Sequence, residues 1–310
     1  MANPDFRVHP EEPPRPGMLH DVRVREDTLN TNYKGQEKKG IWTRAEKAIE
    51  KLGVILRPVL GPEEVVLYVA RCQAPVSALE RITFGWYIHY VTGTVLVFTN
   101  RRLLHFDVKS NGDWRRSLRA VNWGDVEDTQ IKGWLSKTFE LRYRTGKKEK
   151  YWNLGREDGK KLRILLDALF AAGARESSPA QTMVSLCPSC TAELTPRVYQ
   201  CTKCGLKFKD EKTMVSRSLV VPGGGYFYTG HWFLGVGDFL VEAYLLIMAI
   251  VLAATAAGLI TDPLVEPGQE PITGAAAWIV AGLVAAILAA EKWLTVHHCR
   301  RFIREFMPLG

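Results

Sequence analysis

Residues 93–108 read GTVLVFTNRRLLHFDV, and this stretch sets the class of fold predicted for the first half of the chain. Two runs rich in β-branched and aromatic residues flank the polar break TNRR, a pattern typical of two antiparallel strands joined by a tight turn. Comparable runs surround it: EEVVLYVARC from residue 63, FGWYIHYV from residue 84, FELRYR from residue 139 and EKYWNL from residue 149. The turn signals SNGD and TGKK separate several of these runs. The sequence therefore predicts an antiparallel β domain.

A helical pattern follows the last β run. Leucines recur at helical spacing in the segment from residue 156 to residue 173, and an amphipathic helix after many strands predicts a barrel or sandwich capped by that helix, over residues 61–173. Residues 1–40 are rich in Pro, Glu, Arg and Asn and predict a disordered tail. Residues 41–60 predict a short helix and a linker.

The order of these runs resembles a pleckstrin-homology-like (PH-like) domain of the bacterial, GRAM-related kind. The resemblance rests on the strand at residues 95–98, the turn at 99–102, the strand at 103–106, Trp123 and the closing helix. Members of that family bind lipid headgroups or proteins. The resemblance therefore implies a binding module rather than a catalytic activity.

Basic residues at or beside the predicted turns are candidates for contact with anionic lipid headgroups. They are Arg101, Arg102, Arg115, Arg116, Lys147, Lys148 and Lys150. Each basic residue close to an anionic bilayer contributes roughly 1 kcal/mol, so a cluster of them matters. Turns whose charges are simply solvated give the same pattern, and both interpretations stay open at this point.

Four cysteines follow a predicted linker at residues 174–184. Cys187, Cys190, Cys201 and Cys204 form two Cys-x-x-Cys pairs in CPSCTAELTPRVYQCTKC. This spacing predicts a zinc ribbon over residues 185–212 with one structural zinc ion, because four thiolates complete a tetrahedral sphere and leave no open catalytic position. Six cysteines in 310 residues are too few for a disulfide scaffold and indicate a reducing compartment. A dithiol redox role is the alternative.

Two long apolar runs, residues 239–260 and 272–290, are long enough to cross a bilayer whose hydrocarbon core is ~30 Å thick. The short segment between them carries acidic residues but no Lys or Arg, whereas basic residues precede the first run and follow the second in a tail at 296–310. The positive-inside rule therefore predicts that both termini are cytoplasmic. Asp238 and Glu242, one helical turn apart at the cytoplasmic end of the first run, are candidate functional acids. A structural role at the membrane interface is the alternative.

The sequence VPGGGYFYTGHW precedes the first apolar run, at residues 221–232. It resembles the P-G-x-G-x-F-Y-x-G signature of TM-two-type hairpins, small domains with two transmembrane helices, and the likeness extends over about residues 217–293. The matching residues are Pro222, Gly223, Gly225, Phe227, Tyr228 and Gly230. Glycines among aromatic residues suit a tight turn at the membrane interface, with Tyr226, Tyr228 and Trp232 as an aromatic belt. We assign residues 217–295 to this interfacial segment and hairpin.

The chain carries 41 Lys and Arg against 33 Asp and Glu, a net charge of +8, which suits an anionic partner. Motifs of nucleophilic, P-loop or His-Glu metal catalysis do not occur in the sequence, so we expect no enzyme. We expect a multidomain α+β protein of the bacterial inner membrane, an adaptor or sensor that binds anionic lipid or a protein partner. Alanines recur every fourth residue in both apolar runs, at 249, 253 and 257 and at 277, 281, 285 and 289. This spacing suits close packing of helices within the hairpin or between copies in a homo-oligomer.

Two other classes of function remain open. A transport or channel accessory would use oligomerised hairpins with the two acidic residues along the path. A membrane-tethered nucleic-acid binder would use the zinc ribbon and Lys203, Lys207 and Lys209. A nucleic-acid partner is disfavoured, because membrane spans need flanking basic residues in any case.

Overall fold

The computed structural model describes residues 16–171, 177–260 and 274–309. The chain divides into two compact units, residues 1–206 and 207–310. The boundary lies inside the predicted zinc ribbon and leaves all four cysteines in the first unit.

The elements of the first unit are, in chain order, β1 (Pro16–Leu19), β2 (Val22–Arg25), α1 (Glu26–Leu29), α2 (Lys39–Val59), β3 (Val66–Gln73), α3 (Ala78–Phe84), α4 (Ile88–Val91), β4 (Gly93–Thr99), β5 (Arg102–Val108), β6 (Trp114–Asn122), β7 (Val126–Lys132), β8 (Lys137–Tyr143), β9 (Lys148–Leu154), α5 (Arg156–Ala171) and β10 (Val184–Leu186). Single turns of 3-10 helix occupy Gly85–Tyr87 and Trp123–Asp125. The second unit contains α6 (Glu211–Val220), α7 (Gly224–Thr229), α8 (Trp232–Ala256) and α9 (Gly274–Arg304).

Over the described residues, ten strands form one sheet in the order β10-β6-β5-β4-β3-β9-β8-β7, with the β1–β2 hairpin attached to β3 through β2. The pairing of β2 with β3 is parallel, and the other strand pairs are antiparallel. The TNRR break joins β4 to β5, with Phe98 opposite Leu103. The predicted antiparallel β domain is confirmed.

Alternate side chains of the central strands enter two cores, as the period of two in a strand requires. Val97 and Leu104 pack with helix α2 on one face of the sheet. Leu96 and Leu103 pack with strands β8 and β9 and helix α5 on the other. The indole Nε1–H of Trp123 donates to the carbonyl of Thr99 at 2.8 Å and fixes the chain as it crosses to β7.

The N-terminal segment differs from its prediction. Residues 16–29 form a hairpin and a helical turn, where the sequence predicted a disordered tail over residues 1–40; residues 1–15 lie outside the described part. Val22, Val24 and Leu29 are buried in the core that contains α2. The burial of these three apolar side chains stabilises this segment although its overall composition is polar.

The segment FGWYIHYV also differs from its prediction, because residues 84–91 are helical and not a strand. A capping box initiates the helix: Ser77 accepts a hydrogen bond from the N–H of Glu80, and the Glu80 carboxylate accepts one from the N–H of Ser77. This local signal outweighs the β propensity of the aromatic residues.

The helices of the second unit extend beyond the predicted runs. Helix α8 begins at Trp232, seven residues before the predicted first span, and α9 continues to Arg304 through most of the predicted basic tail. Residues 261–273, which include the predicted acidic loop and the first residues of the predicted second span, lie outside the described residues. Within the described chain, α8 and α9 are two helices long and apolar enough to cross a membrane.

Candidate metal centre and hairpin site

Two backbone turns of the same shape present the four predicted cysteines. In the first turn, the N–H of Thr191 donates to the carbonyl of Cys187; in the second, the N–H of Gly205 donates to the carbonyl of Cys201, both at 2.9 Å. Thr191 and Gly205 both have left-handed backbones, with φ of 59° and 75°. Thr191 therefore takes up a conformation that glycine adopts without steric cost.

The sulfur atoms of the four cysteines converge. All four Sγ atoms lie within 4.8 Å of one another, with Cys187 3.6 Å from Cys204 and Cys190 3.5 Å from Cys201. These distances are far longer than a disulfide bond of about 2.05 Å. Four sulfurs at about 2.3 Å from a tetrahedral ion stand about 3.8 Å apart. The geometry thus fits a single metal ion bound by four thiolates.

Backbone amides favour the thiolate form that binds a metal. The Sγ of Cys201 accepts hydrogen bonds from the N–H groups of Lys203 and Cys204, and that of Cys187 accepts from the equivalent amides of its own turn. Burial acts to raise the pKa of the Cys201 thiol, but these amides and the neighbouring thiols lower it to about 7. At Cys187 burial outweighs the amides and raises the pKa of the thiol to about 12. Because a thiolate is the ligating form, the turn amides favour metal binding at Cys201 and only offset burial at Cys187.

The segment that begins at Pro222 forms a tight corner before α8. Gly223 is left-handed, with φ of 66°, at the start of α7, and Gly230 is left-handed, with φ of 84°, at its end. A Cβ on Gly223 would overlap the carbonyl oxygen of Gly235, and one on Gly225 would overlap a serine hydroxyl of α6. The motif glycines therefore allow α7 to lie directly against α6 and α8.

The aromatic residues of the motif serve different contacts. Phe227 packs on Trp232 with ring centroids 5.1 Å apart. The hydroxyl of Tyr228 accepts from the N–H of Asp210 and donates to its carboxylate, at 3.1 and 3.2 Å. Tyr226 and Tyr228 are buried, and Trp232 is exposed. Of the expected aromatic belt, Trp232 alone among these three is placed at the surface.

Glu242 is the centre of a polar cluster in the hairpin. It is 1% exposed, and its Oε2 accepts hydrogen bonds from the N–H of Gly223 at 2.8 Å and from Lys292 at 2.6 Å. Oxygens of Asp238, Glu242 and Glu291 lie within 4.8 Å of one another. Lys292 thus neutralises one of three neighbouring carboxylates, and the same carboxylate binds the backbone of Gly223 in the motif.

Glu291 and Lys292 were not among the predicted site residues. Both follow directly after an apolar run without charge. In an antiparallel hairpin the end of the second run lies beside the start of the first, where Asp238 and Glu242 are, so this position was the available signal. Sequence spacing does not reveal that Lys292 reaches Glu242, because 50 residues separate the two.

The basic residues predicted to contact lipid do not share one face. Arg101 and Arg102 lie in the β4–β5 turn, and Arg115 and Arg116 lie at the start of β6, at the opposite end of β5. A strand of that length spans about 20 Å. Arg102 is committed to the buried carboxylate of Glu64 at 2.8 Å.

The lysines of the β8–β9 hairpin remain at the surface. Lys147 pairs with Glu149 at 3.2 Å, and Lys148 and Lys150 pair with Glu140 at 4.0 and 3.8 Å. Ion pairs of exposed lysines contribute about 0–1 kcal/mol, so they leave these side chains available to another anion.

An apolar surface that was not predicted lies next to Arg115 of β6. Ile82, Trp86 and Tyr90 are 78%, 66% and 45% exposed. The guanidinium of Arg115 donates to the carbonyl of Tyr90 at 2.7 Å, so basic and apolar groups adjoin. We call Ile82, Trp86, Tyr90 and Arg115 the α3–α4 surface. This surface was not predicted because residues 84–91 were expected to form a strand.

Comparison with known proteins identifies no relative that carries a function. No family model matches the chain, and no curated protein is significantly similar to it. Among solved structures, the chain is similar to the C-terminal domain of an unknown protein from Leishmania infantum, with 12% identity over 42% of this chain and 98% of that one and a TM-score of 0.26. A likeness at this TM-score supports no conclusion about fold or function.

Proposed function

We propose that this protein is a non-enzymatic adaptor or sensor anchored in the bacterial inner membrane. A TM-two-type hairpin anchors it, and a PH-like module and a structural zinc ribbon face the cytoplasm. The module binds the anionic membrane surface. The α3–α4 surface carries this proposal, because it combines exposed aromatic and aliphatic side chains with Arg115.

The properties of α8 and α9 support the anchor. The most apolar windows of the two helices are only 17% and 11% buried, whereas the core helix of a soluble protein is mostly buried. Leu240, Ile247 and Ile279 are among the exposed apolar residues of these helices. An apolar surface of this size must be shielded from water, and the hydrocarbon core of a bilayer matches two helices of this length.

The α3–α4 surface supports the contact with lipid. Trp86 and Tyr90 have the amphipathic rings that prefer the bilayer interface. Arg115 adds roughly 1 kcal/mol near anionic lipid. Because the hairpin holds the module at the bilayer, even a weak surface contact is populated through effective concentration. The module would then report the charge of the inner leaflet.

Zinc is the metal we propose for the four-cysteine centre. Four thiolates in tetrahedral geometry suit zinc and leave no position for substrate. The centre would order residues 187–204, where few apolar side chains are buried.

Hydrogen–deuterium exchange of the full chain in nanodiscs tests the lipid contact. We expect amides of residues 78–91 to gain protection when phosphatidylglycerol is added to phosphatidylcholine, and to lose that gain at high salt. The double substitution Ile82→Asp and Trp86→Asp should abolish it. The matched control is Trp134→Asp with Leu135→Asp, which changes two other exposed apolar residues in the β7–β8 turn.

Exchange that does not depend on lipid charge would exclude this membrane contact and favour a protein partner at the α3–α4 surface. A transport role has weaker support. The Oε2 atom of Glu242 accepts from Lys292 and from the N–H of Gly223, and these contacts join the motif to both long helices and favour a structural role.

A further inference from the structure

A cavity of about 500 Å³ lies between helix α2 and strands β3 and β4. Ile41, Ala48 and Leu52 line it from the helix, and Val69 and Val95 line it from the strands. Its volume lies within the range of about 300–1,000 Å³ that is typical of small-molecule sites.

Basic side chains surround the mouth of this cavity. Arg44, Lys47 and Lys51 lie at i, i+3 and i+7, on one face of α2, and Arg71 lies opposite them on β3. With Glu50 and Asp158 included, the charged residues of the lining are four cations and two anions. The mouth is therefore net positive above an apolar floor.

Two of the four cations lack a carboxylate partner among the residues that the structure describes. Arg44 lies 3.6 Å from Asp158, and Lys51 lies 2.8 Å from Asp113. Arg71 instead donates to two backbone carbonyls of the β5–β6 turn, at 2.7 and 3.4 Å, which orient its guanidinium without neutralising it. Lys47 has no ion pair within the described ranges.

We propose that this cavity, the α2 cavity, binds a single alkyl chain that carries an anionic headgroup, as in a fatty acid or an anionic lysophospholipid. The chain would lie on the apolar floor beside Ala48, and the headgroup would meet Lys47 and Arg71. Each buried methylene strengthens binding about fourfold, so the floor supplies affinity. The cations select the charge of the headgroup.

Other ligand classes fit the lining less well. The one aromatic residue among the lining residues is Tyr68, whose hydroxyl donates to Asp158 at 2.8 Å; the ring is buried and offers no stacking face for a nucleobase. The cavity shares no residue with the α3–α4 surface, so this proposal does not depend on the membrane contact proposed above.

Photo-crosslinking of the full chain in phosphatidylcholine nanodiscs tests the proposal. The probe is palmitate with a diazirine in its chain, and the labelled peptides are mapped by mass spectrometry. We expect label on residues 41–52 and 69–71. Oleate or lysophosphatidylglycerol should compete for it, and the stronger competitor identifies the source of the chain. Butyrate, a headgroup without a long chain, and oleyl alcohol, a chain without charge, should compete at least roughly tenfold less.

Substitutions on α2 provide matched variants. Ala48→Trp fills the cavity and should reduce labelling at least roughly tenfold, whereas Val54→Trp changes a residue that is 80% exposed on the same helix and should leave labelling unchanged. Lys47→Gln and Arg71→Gln leave the floor intact and should each weaken oleate competition about fivefold. If Ala48→Trp fails to fold, Lys47→Gln and Arg71→Gln still test whether the α2 cavity binds the anionic ligand. Label confined to α8 and α9, or oleyl alcohol competing as well as oleate, would overturn the proposal.

Discussion

Replacing Gly223 by alanine tests whether the glycine motif joins the helices of the hairpin by close packing. Gly223 has φ of 66°, and an L-residue in this left-handed region is disfavoured by about 1–2 kcal/mol. The new Cβ would overlap the carbonyl oxygen of Gly235, so the backbone must move. That movement displaces the N–H that donates to the Glu242 carboxylate at 2.8 Å.

A hydrogen bond to a charged group contributes a net ~1.5–3 kcal/mol. With the left-handed conformation included, we expect Gly223→Ala to lower the free energy of unfolding by about 3–5 kcal/mol. This is a large share of the ~5–15 kcal/mol that stabilises an ordinary domain. The free energy is measured on the full chain by titrating dodecyl sulfate into dodecylmaltoside micelles and following circular dichroism.

Gly237→Ala is the matched control, because a Cβ at Gly237 meets nothing within 4 Å. Alanine in a helix is more favourable than glycine by up to about 1 kcal/mol, so this variant should be as stable as the parent or slightly more so. If Gly223→Ala unfolds within about 0.5 kcal/mol of Gly237→Ala, the packing argument is refuted.

Three further predictions concern the first unit. Arg102→Ala leaves the Glu64 carboxylate buried and without its cation, and should lower the free energy of unfolding, measured by denaturant titration, by about 3–5 kcal/mol. The control Arg101→Ala removes an exposed ion pair and should lower it by less than about 1 kcal/mol. Equal losses in the two variants would contradict this prediction. X-ray absorption of the purified chain should show four sulfurs at about 2.3 Å from one zinc ion, and a chelator should increase exchange in residues 187–204; a nitrogen or oxygen ligand would refute a four-thiolate site. Burial lowers the pKa of Lys161 to about 7. Between that pH and about 10.5 the unfolded chain binds one more proton than the folded chain, so stability should rise with pH by up to ~1.4 kcal/mol per unit. Lys161→Met should flatten that slope in denaturant titrations across this range, and an unchanged slope would exclude the assignment.

Local patterns predicted much of the architecture. The two runs of β-branched and aromatic residues around the TNRR break predicted strands β4 and β5, because both signals lie within a few residues of one another. Strands β6 and β7 were not predicted, since WRRSLRAVN and VEDTQIK are polar stretches. They are strands because adjacent strands offer backbone hydrogen bonds and apolar contacts for Leu118, Val121 and Val126.

The candidate sites differ in the same way. Spacing was sufficient to predict the cysteine centre, because each Cys-x-x-Cys pair lies within one turn of backbone. The basic residues were predicted to act together, yet Arg102 is bound to a buried acid and Arg101 and Arg115 lie at opposite ends of β5. Proximity along the chain does not show which acid a cation meets after folding.

The sequence by itself determined the antiparallel β domain, the convergence of four thiols and the presence of two long apolar helices. Each follows from interactions between residues a few positions apart or from the composition of one segment. Only the tertiary structure decided that Lys292 meets Glu242 beside Gly223, that an apolar surface adjoins Arg115, and that α2 leaves a cavity above β3. These features join segments far apart in sequence, and their energies depend on packing and burial that exist only after the chain has folded.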